Sequence, residues 1–136
     1  MKRIGLFLLA VVMVAGCGGG DGTNGPGDCT GDVSLTVTAG KVPTFSWIPS
    51  CGADKFIVYG NPHETEVGTV WDVAWSIGYS GETAIFPTLV YGIVPPGADE
   101  IVDAQPLVRG TRYQAKVITL PGDYTFKENG VIEFIY

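Results

Sequence analysis

Hydrophobic and polar positions alternate along much of this chain, and a period of two is the signature of half-buried strands. In "VSLTVTAG" (33–40), Val33, Leu35 and Val37 point one way and Ser34, Thr36 and Thr38 the other. "PTFSWIP" (43–49) alternates too, with Phe45 and Trp47 on one face, and a turn near Gly40 separates the two runs. A hairpin centred on Gly40 pairs Val33 with Trp47 and Leu35 with Phe45, and it carries Cys29 opposite Cys51. Opposed strand residues stand about 5 Å apart, within reach of a disulfide. "KFIVYG" (55–60) is apolar on both faces, as an inner strand is. In "TVWDVAWSI" (69–77) Trp71, Val73, Trp75 and Ile77 share a face. "TAIFP" and "LVYGIV" flank Pro87 and read as edge strands or bends. "RYQAKVITL" (112–120) is a strand, and Asn129-Gly130 predicts a terminal hairpin between "DYTFK" and "VIEFIY". Only "ADEIVDAQ" (98–105) has the pattern of a helical turn.

The first residues break this pattern. Lys2-Arg3 precede an unbroken apolar stretch from Ile4 to Ala15, the order of a secretory signal and too short for a comfortable bilayer span. Val14-Ala15-Gly16-Cys17 resembles the bacterial lipobox. That resemblance implies a signal peptide over 1–16, cleavage after Gly16 and a diacylglycerol on Cys17, with two or more acyl chains giving stable anchorage. Residues 17–28 then form a lipidated cysteine and a Gly-rich flexible tether. Gly18, rather than Asp, favours an outer membrane where there is one. With Cys17 lipidated, the odd cysteine count resolves and leaves Cys29 and Cys51 to pair in an exported compartment.

Composition agrees. A chain of 136 residues has room for one sizeable core, and its 20 glycines and 9 prolines favour short strands joined by turns. The net charge is −6, and without Lys2 and Arg3 six basic side chains face fourteen acidic ones, a charge of −8. Such a surface repels phosphates, so nucleic acid is not an expected partner.

"PLVRGTRYQAKV" (106–117) is similar to the segment entering the sixth strand of fibronectin type III domains, through Leu107, Gly110, Thr111 and Tyr113. "FSWIP" matches that family's second strand, with Trp47 in the core, and "KFIVYG" its third. The likeness covers about residues 31 to 136. It implies a buried Tyr113 whose hydroxyl bonds backbone upstream. Ala115, two residues on, rules out an antibody-type bridge there, and the 88–110 segment is longer than the family's approach to that tyrosine.

Chemistry-bearing residues are sparse. His63 in "NPHETE" is the one histidine, too few for a triad or a zinc site, so His63, Glu64 and Glu66 read as loop residues. Asp21, Asn24 and Asp28 lack the glutamate a calcium loop needs. Asp99, Glu100 and Asp103 read as a solvated acidic face, with weak calcium binding as the lesser alternative. No nucleophile elbow, phosphate loop or dinucleotide fingerprint is present. Trp75 and Tyr79 would stack on a sugar or anchor a partner if exposed; core burial of Trp75 is the preferred reading.

The expectation is therefore an all-β, immunoglobulin-like (fibronectin type III-like) antiparallel sandwich of about seven strands over 29–136, behind a signal peptide and tether. It is expected to be non-catalytic and free of cofactors and metals, lipid-anchored in a bacterial cell envelope, and to bind or space envelope proteins or glycans. The alternative is a carbohydrate-binding module using Trp75 and Tyr79.

Overall fold

Most strands form where the apolar pattern predicts them, and a computed structural model shows how they stack; it describes residues 27–79, 81, 84–120 and 125–136. Among these are β1 (Ser34–Thr38), β2 (Thr44–Ile48), β3 (Lys55–Thr65), β4 (Gly68–Tyr79), β5 (Leu89–Val90), β6 (Ala98–Val102), β7 (Arg112–Thr119) and β8 (Lys127–Ile135), with no helix. They make two antiparallel sheets, β1-β2-β5 and β6-β4-β3-β7-β8. Cys17, the signal residues and Asp21 and Asn24 lie outside the described residues.

Aromatic side chains join the sheets into one core. Phe45 on β2 meets Phe56 on β3 at 4.9 Å between ring centres, and Phe56 meets Trp75 at 6.0 Å. Trp75 then meets Tyr91 at 5.3 Å, and Phe45 reaches Phe134, which stacks on Tyr113. Offset and edge-on ring pairs of this kind add to the area they bury. Trp47 is buried as expected, and its indole N–H donates to the Cys51 carbonyl at 2.9 Å.

Four expectations change. The β1–β2 register pairs Leu35 with Trp47 and Val37 with Phe45, two positions from the hairpin expected. An even slip keeps every side chain on its face, so the core set survives. The Cys29–Cys51 disulfide is present, with Cα atoms 4.9 Å apart, but beyond the β1–β2 ladder: Asp28 bridges Gly52 in parallel there. Residues 98–102 are edge strand β6, which pairs with Ser76–Tyr79 of β4 and raises the strand count to eight. On β4, Val58 pairs with Trp75 but Tyr59 with Val73, so Ala74 is an extra, bulged residue. A bulge reverses the faces beyond it. Trp75 and Ile77 are in the core, while Val73 and Trp71 turn outward, where Arg112 lies over the Trp71 ring at 5.4 Å.

The fourth change is Asn129-Gly130, which is no turn. Both residues are buried inside β8, where Asn129 is the bulged residue between the Val117–Gly130 and Ile118–Glu128 pairs. The Asn129 amide donates to the carbonyls of Cys29 (3.0 Å) and Gly31 (2.8 Å), its oxygen accepts from the Thr119 hydroxyl (2.6 Å), and its backbone carbonyl accepts from Val33 N–H (2.7 Å). Gly130 is required by proximity: a Cβ there would stand 2.6 Å from Val33 Cγ2 and 3.0 Å from its carbonyl oxygen. The local turn signal yields to a tertiary contact between β1 and β8.

Two buried polar side chains provide opposite tests. Asn129→Ala strands two carbonyls and a hydroxyl, and a loss of about 2–4 kcal/mol is expected. Ser76, 2 % exposed, has a hydroxyl with no hydrogen-bond partner among the described residues. Ser76→Ala is expected to be neutral or to stabilise by up to about 1 kcal/mol. Urea unfolding of the oxidised protein measures both.

Candidate functional site

Register fixes which features share an end of the sandwich. Cys29 N–H donates to the Gly52 carbonyl, Asp54 N–H to that of Ile118, and the Asp54 carboxylate accepts from Leu120 N–H. Lys127 Nζ reaches the Thr30 carbonyl at 2.9 Å. The disulfide, the β2–β3 corner and the entering chain at Gly27–Asp28 thus occupy one pole. The β1–β2 turn, the Arg109–Gly110 turn and Tyr136 occupy the other: the Tyr136 hydroxyl donates to the Lys41 carbonyl at 2.7 Å, and Gly110 N–H to the Tyr136 carbonyl.

A two-stranded arm extends past this second pole. β7 pairs with β3 only over Lys55–Tyr59, and β6 with β4 only over Ser76–Tyr79. From Asn61 to Asp72 the β3–β4 ribbon has no flanking strand among the described residues, and the pairing of His63–Thr65 with Gly68–Val70 makes "NPHETE" mostly strand rather than loop. Its β3 limb, from Asn61 to Thr65, spans about 16 Å at a strand's rise. The arm is braced by its own side chains: Thr65 Oγ1 donates to the Gly68 carbonyl (2.8 Å), Thr69 Oγ1 to Glu64 Oε1 (2.7 Å) and Asn61 Nδ2 to Asp72 Oδ2 (2.8 Å). Gly68 closes the tip at φ +121°, a conformation side-chain-bearing residues rarely adopt. Val67 at the tip is 94 % exposed, with Glu66 beside it. His63 is an exposed residue of the arm, its Nδ1 3.3 Å from the Asn61 carbonyl oxygen.

Hollows open at both poles among the described residues, and two of those at this pole bear on the arm. One, of about 490 Å³, is lined by Val37, Pro43, Phe134, Ile135 and Tyr136, with Arg109 among them. The other, of about 440 Å³, lies at the arm's base between Asn61, Asp72 and the 105–111 segment.

The aromatic pair singled out above does not form a platform. Trp75 is 0 % exposed, and its indole N–H donates to Glu100 Oε1 at 3.0 Å. Tyr79 is 42 % exposed, but it lies toward the linker pole, where its N–H bonds the Asp54 carbonyl. With Trp75 sealed in the core, the glycan surface built on these two residues is withdrawn. Trp71, Tyr59 and Phe126 also face outward, and each carries a cation, Arg112 at 5.4 Å, Lys116 at 5.5 Å and Lys55 at 5.9 Å.

Glu100 bonds inward to Trp75 and to Ala104 N–H, while Asp99 faces the other side of β6, so these acids do not converge. Among the described residues no three His, Cys, Asp or Glu side chains form a cluster able to hold a metal ion. Tyr113 is buried, and its hydroxyl accepts from Val108 N–H at 2.9 Å, five residues upstream; Leu107 packs half-buried against the same core. No protein family, curated protein or solved structure matches this chain.

One titratable group stands out. Tyr91 is pushed up to about 12, first by burial and then by Tyr113, against a lowering contribution from the Gln105 backbone; its hydroxyl donates to the Gln105 carbonyl at 2.7 Å, a bond that itself favours the protonated form. The folded state therefore holds this proton where the unfolded chain, with an ordinary value of 10.0, has released it. The stabilisation is complete below pH 10 and is lost as pH rises through about 12. Urea midpoints measured across that window should fall more steeply for the native chain than for Tyr91→Phe.

Proposed function

We propose that this chain is a lipid-anchored lipoprotein of a bacterial cell envelope, outer membrane where one exists, whose fibronectin type III-like sandwich binds or spaces other envelope components without catalysis. The observation that carries this reading is the opposition of poles. Gly27 and Asp28, which end the tether that would follow a lipidated Cys17, lie beside the Cys29–Cys51 disulfide, and the arm with the cleft at its base lies at the other end. A body held at its stapled end presents its recognition features away from the membrane.

Strand order supports the family resemblance. With β6 set aside as an added edge strand, β1-β2-β5 and β4-β3-β7-β8 remain, with Trp47 on the second strand and Tyr113 on the sixth. The Tyr113–Val108 bond has the form that resemblance implies. The additional strand accounts for the long 88–110 approach. The tether's dozen residues would give a reach of about 20 Å, enough to clear headgroups.

Metabolic labelling with palmitate in a lipidating bacterial host tests the anchor. The wild-type chain should take up label and sediment with membranes, and Cys17→Ala should do neither. Unlabelled wild-type protein would end the proposal.

A further inference from the structure

We infer that the cleft at the base of the β3–β4 arm receives a lysine or arginine side chain of a protein partner, which packs apolar residues against the arm. The inference rests on the reading that this pole faces a partner, and not on the lipid at Cys17.

The cleft has the shape for an alkyl stem with a charged tip. Its floor is Gly60 and Ala74, with Pro106 and Val108 on the far wall and Asp72 at the mouth. Gly60 holds the floor low, because a Cβ there would stand 2.5 Å from the Tyr113 ring. Asp72 is exposed; Oδ2 accepts from Asn61, and among the described residues its carboxylate has no cation. Long basic side chains lay their methylenes on apolar surface and hold the charge at an acceptor. A carboxylate pre-positioned by an amide suits that role.

Charge selects the same occupant. From Asn61 to Asp72 the arm contains no lysine or arginine, while Glu64, Glu66 and Asp72 fall within it. On the neighbouring strand Arg112 is engaged by Trp71 and lies 3.9 Å from Glu133, and Arg109 lies at the other hollow. The arm's own charged side chains are thus carboxylates, which favour a cationic partner.

Two observations favour a protein over a glycan or a free amine. At the cleft Tyr113 is buried beneath the floor and Arg112 lies over the Trp71 ring, so neither offers a sugar an open stacking platform. Val67, Val70 and Val73 are exposed along the arm, apolar contacts that a small amine would leave unused.

The test uses the full-length chain in non-ionic detergent at low salt, titrated with acetyl-Val-Lys-Val-Lys-Val-amide and followed by amide chemical shifts. Shifts should concentrate at Gly60, Ala74, Gln105 and Thr111. Asp72→Asn should weaken binding about fivefold, the scale of one exposed ion pair, and Asp72→Glu should restore it. Asp32→Asn removes the same charge at the opposite pole and should leave affinity nearly unchanged. Equal losses in Asp72→Asn and Asp32→Asn, shifts elsewhere, or a response to an N-acetylglucosamine oligosaccharide but not to the peptide would each overturn the assignment. Because the readout is independent of acylation, its failure is distinct from failure of the anchor.

Discussion

The fold depends on the seam where β1 meets β8, and the Asn129 side chain is what closes it. A strand entering a sandwich arrives with carbonyl groups that its sheet has not yet paired. Here two of them, from Cys29 and Gly31, are taken up by one amide on a strand about a hundred residues later in sequence. The disulfide acts on the same segment from the other side, tying Cys29 to the β2–β3 corner. Closing a loop of that length contributes about 3 kcal/mol in the chain-entropy account. Trp47 adds a third restraint by donating to the Cys51 carbonyl. Three different interactions therefore converge on the few residues through which a tether would pull.

That convergence explains which features were legible in the sequence. Alternation in 33–38 and 44–48 predicts both strands and their inward faces, and Cys29, Cys51, Trp47 and Tyr113 behave as their pattern suggests. These are properties of period and chemical type. The failures come from features that depend on neighbours distant in sequence. Asn129-Gly130 has the composition of a tight turn, but its amide is recruited by β1 and its missing Cβ admits Val33. The Ala74 bulge interrupts the period of two, so Trp71 and Val73 leave the face they share on paper with Trp75. Residues 98–102 lack clean alternation because Ile101 is itself a bulged residue and Glu100 turns inward to serve Trp75. The arm leaves one local trace, the Gly68 that its tip requires.

The same bulges shape the candidate site. A flat sheet would carry β3 and β4 side by side to their ends. Register shifts between Val58 and Tyr59 and between Gly60 and His63 instead twist the ribbon where it leaves the sheet, with Asn61 at φ 49° taking up the bend. Irregularities of this kind re-aim strands and side chains. The hollow beside Asp72 opens where the arm departs, so the departure and the cleft share one cause. A helix or loop insertion there would have no need of Gly60, whose bareness keeps the arm close over Tyr113.

A freestanding ribbon also has two unpaired edges, which invite strand addition and aggregation. Here Pro62 removes a backbone donor from one edge, the adjacent register shift spoils its regular spacing, and Glu64, Glu66 and Asp72 place like charges along the arm. Two such arms approaching each other would bring carboxylates together before any backbone bonds formed. The arm is thereby closed to recognition through its backbone while its side chains remain available. A partner that engages it would have to supply opposite charge, and with it contacts for the exposed valines; that is the specificity a small acidic module gains from keeping its lysines and arginines off the 61–72 ribbon.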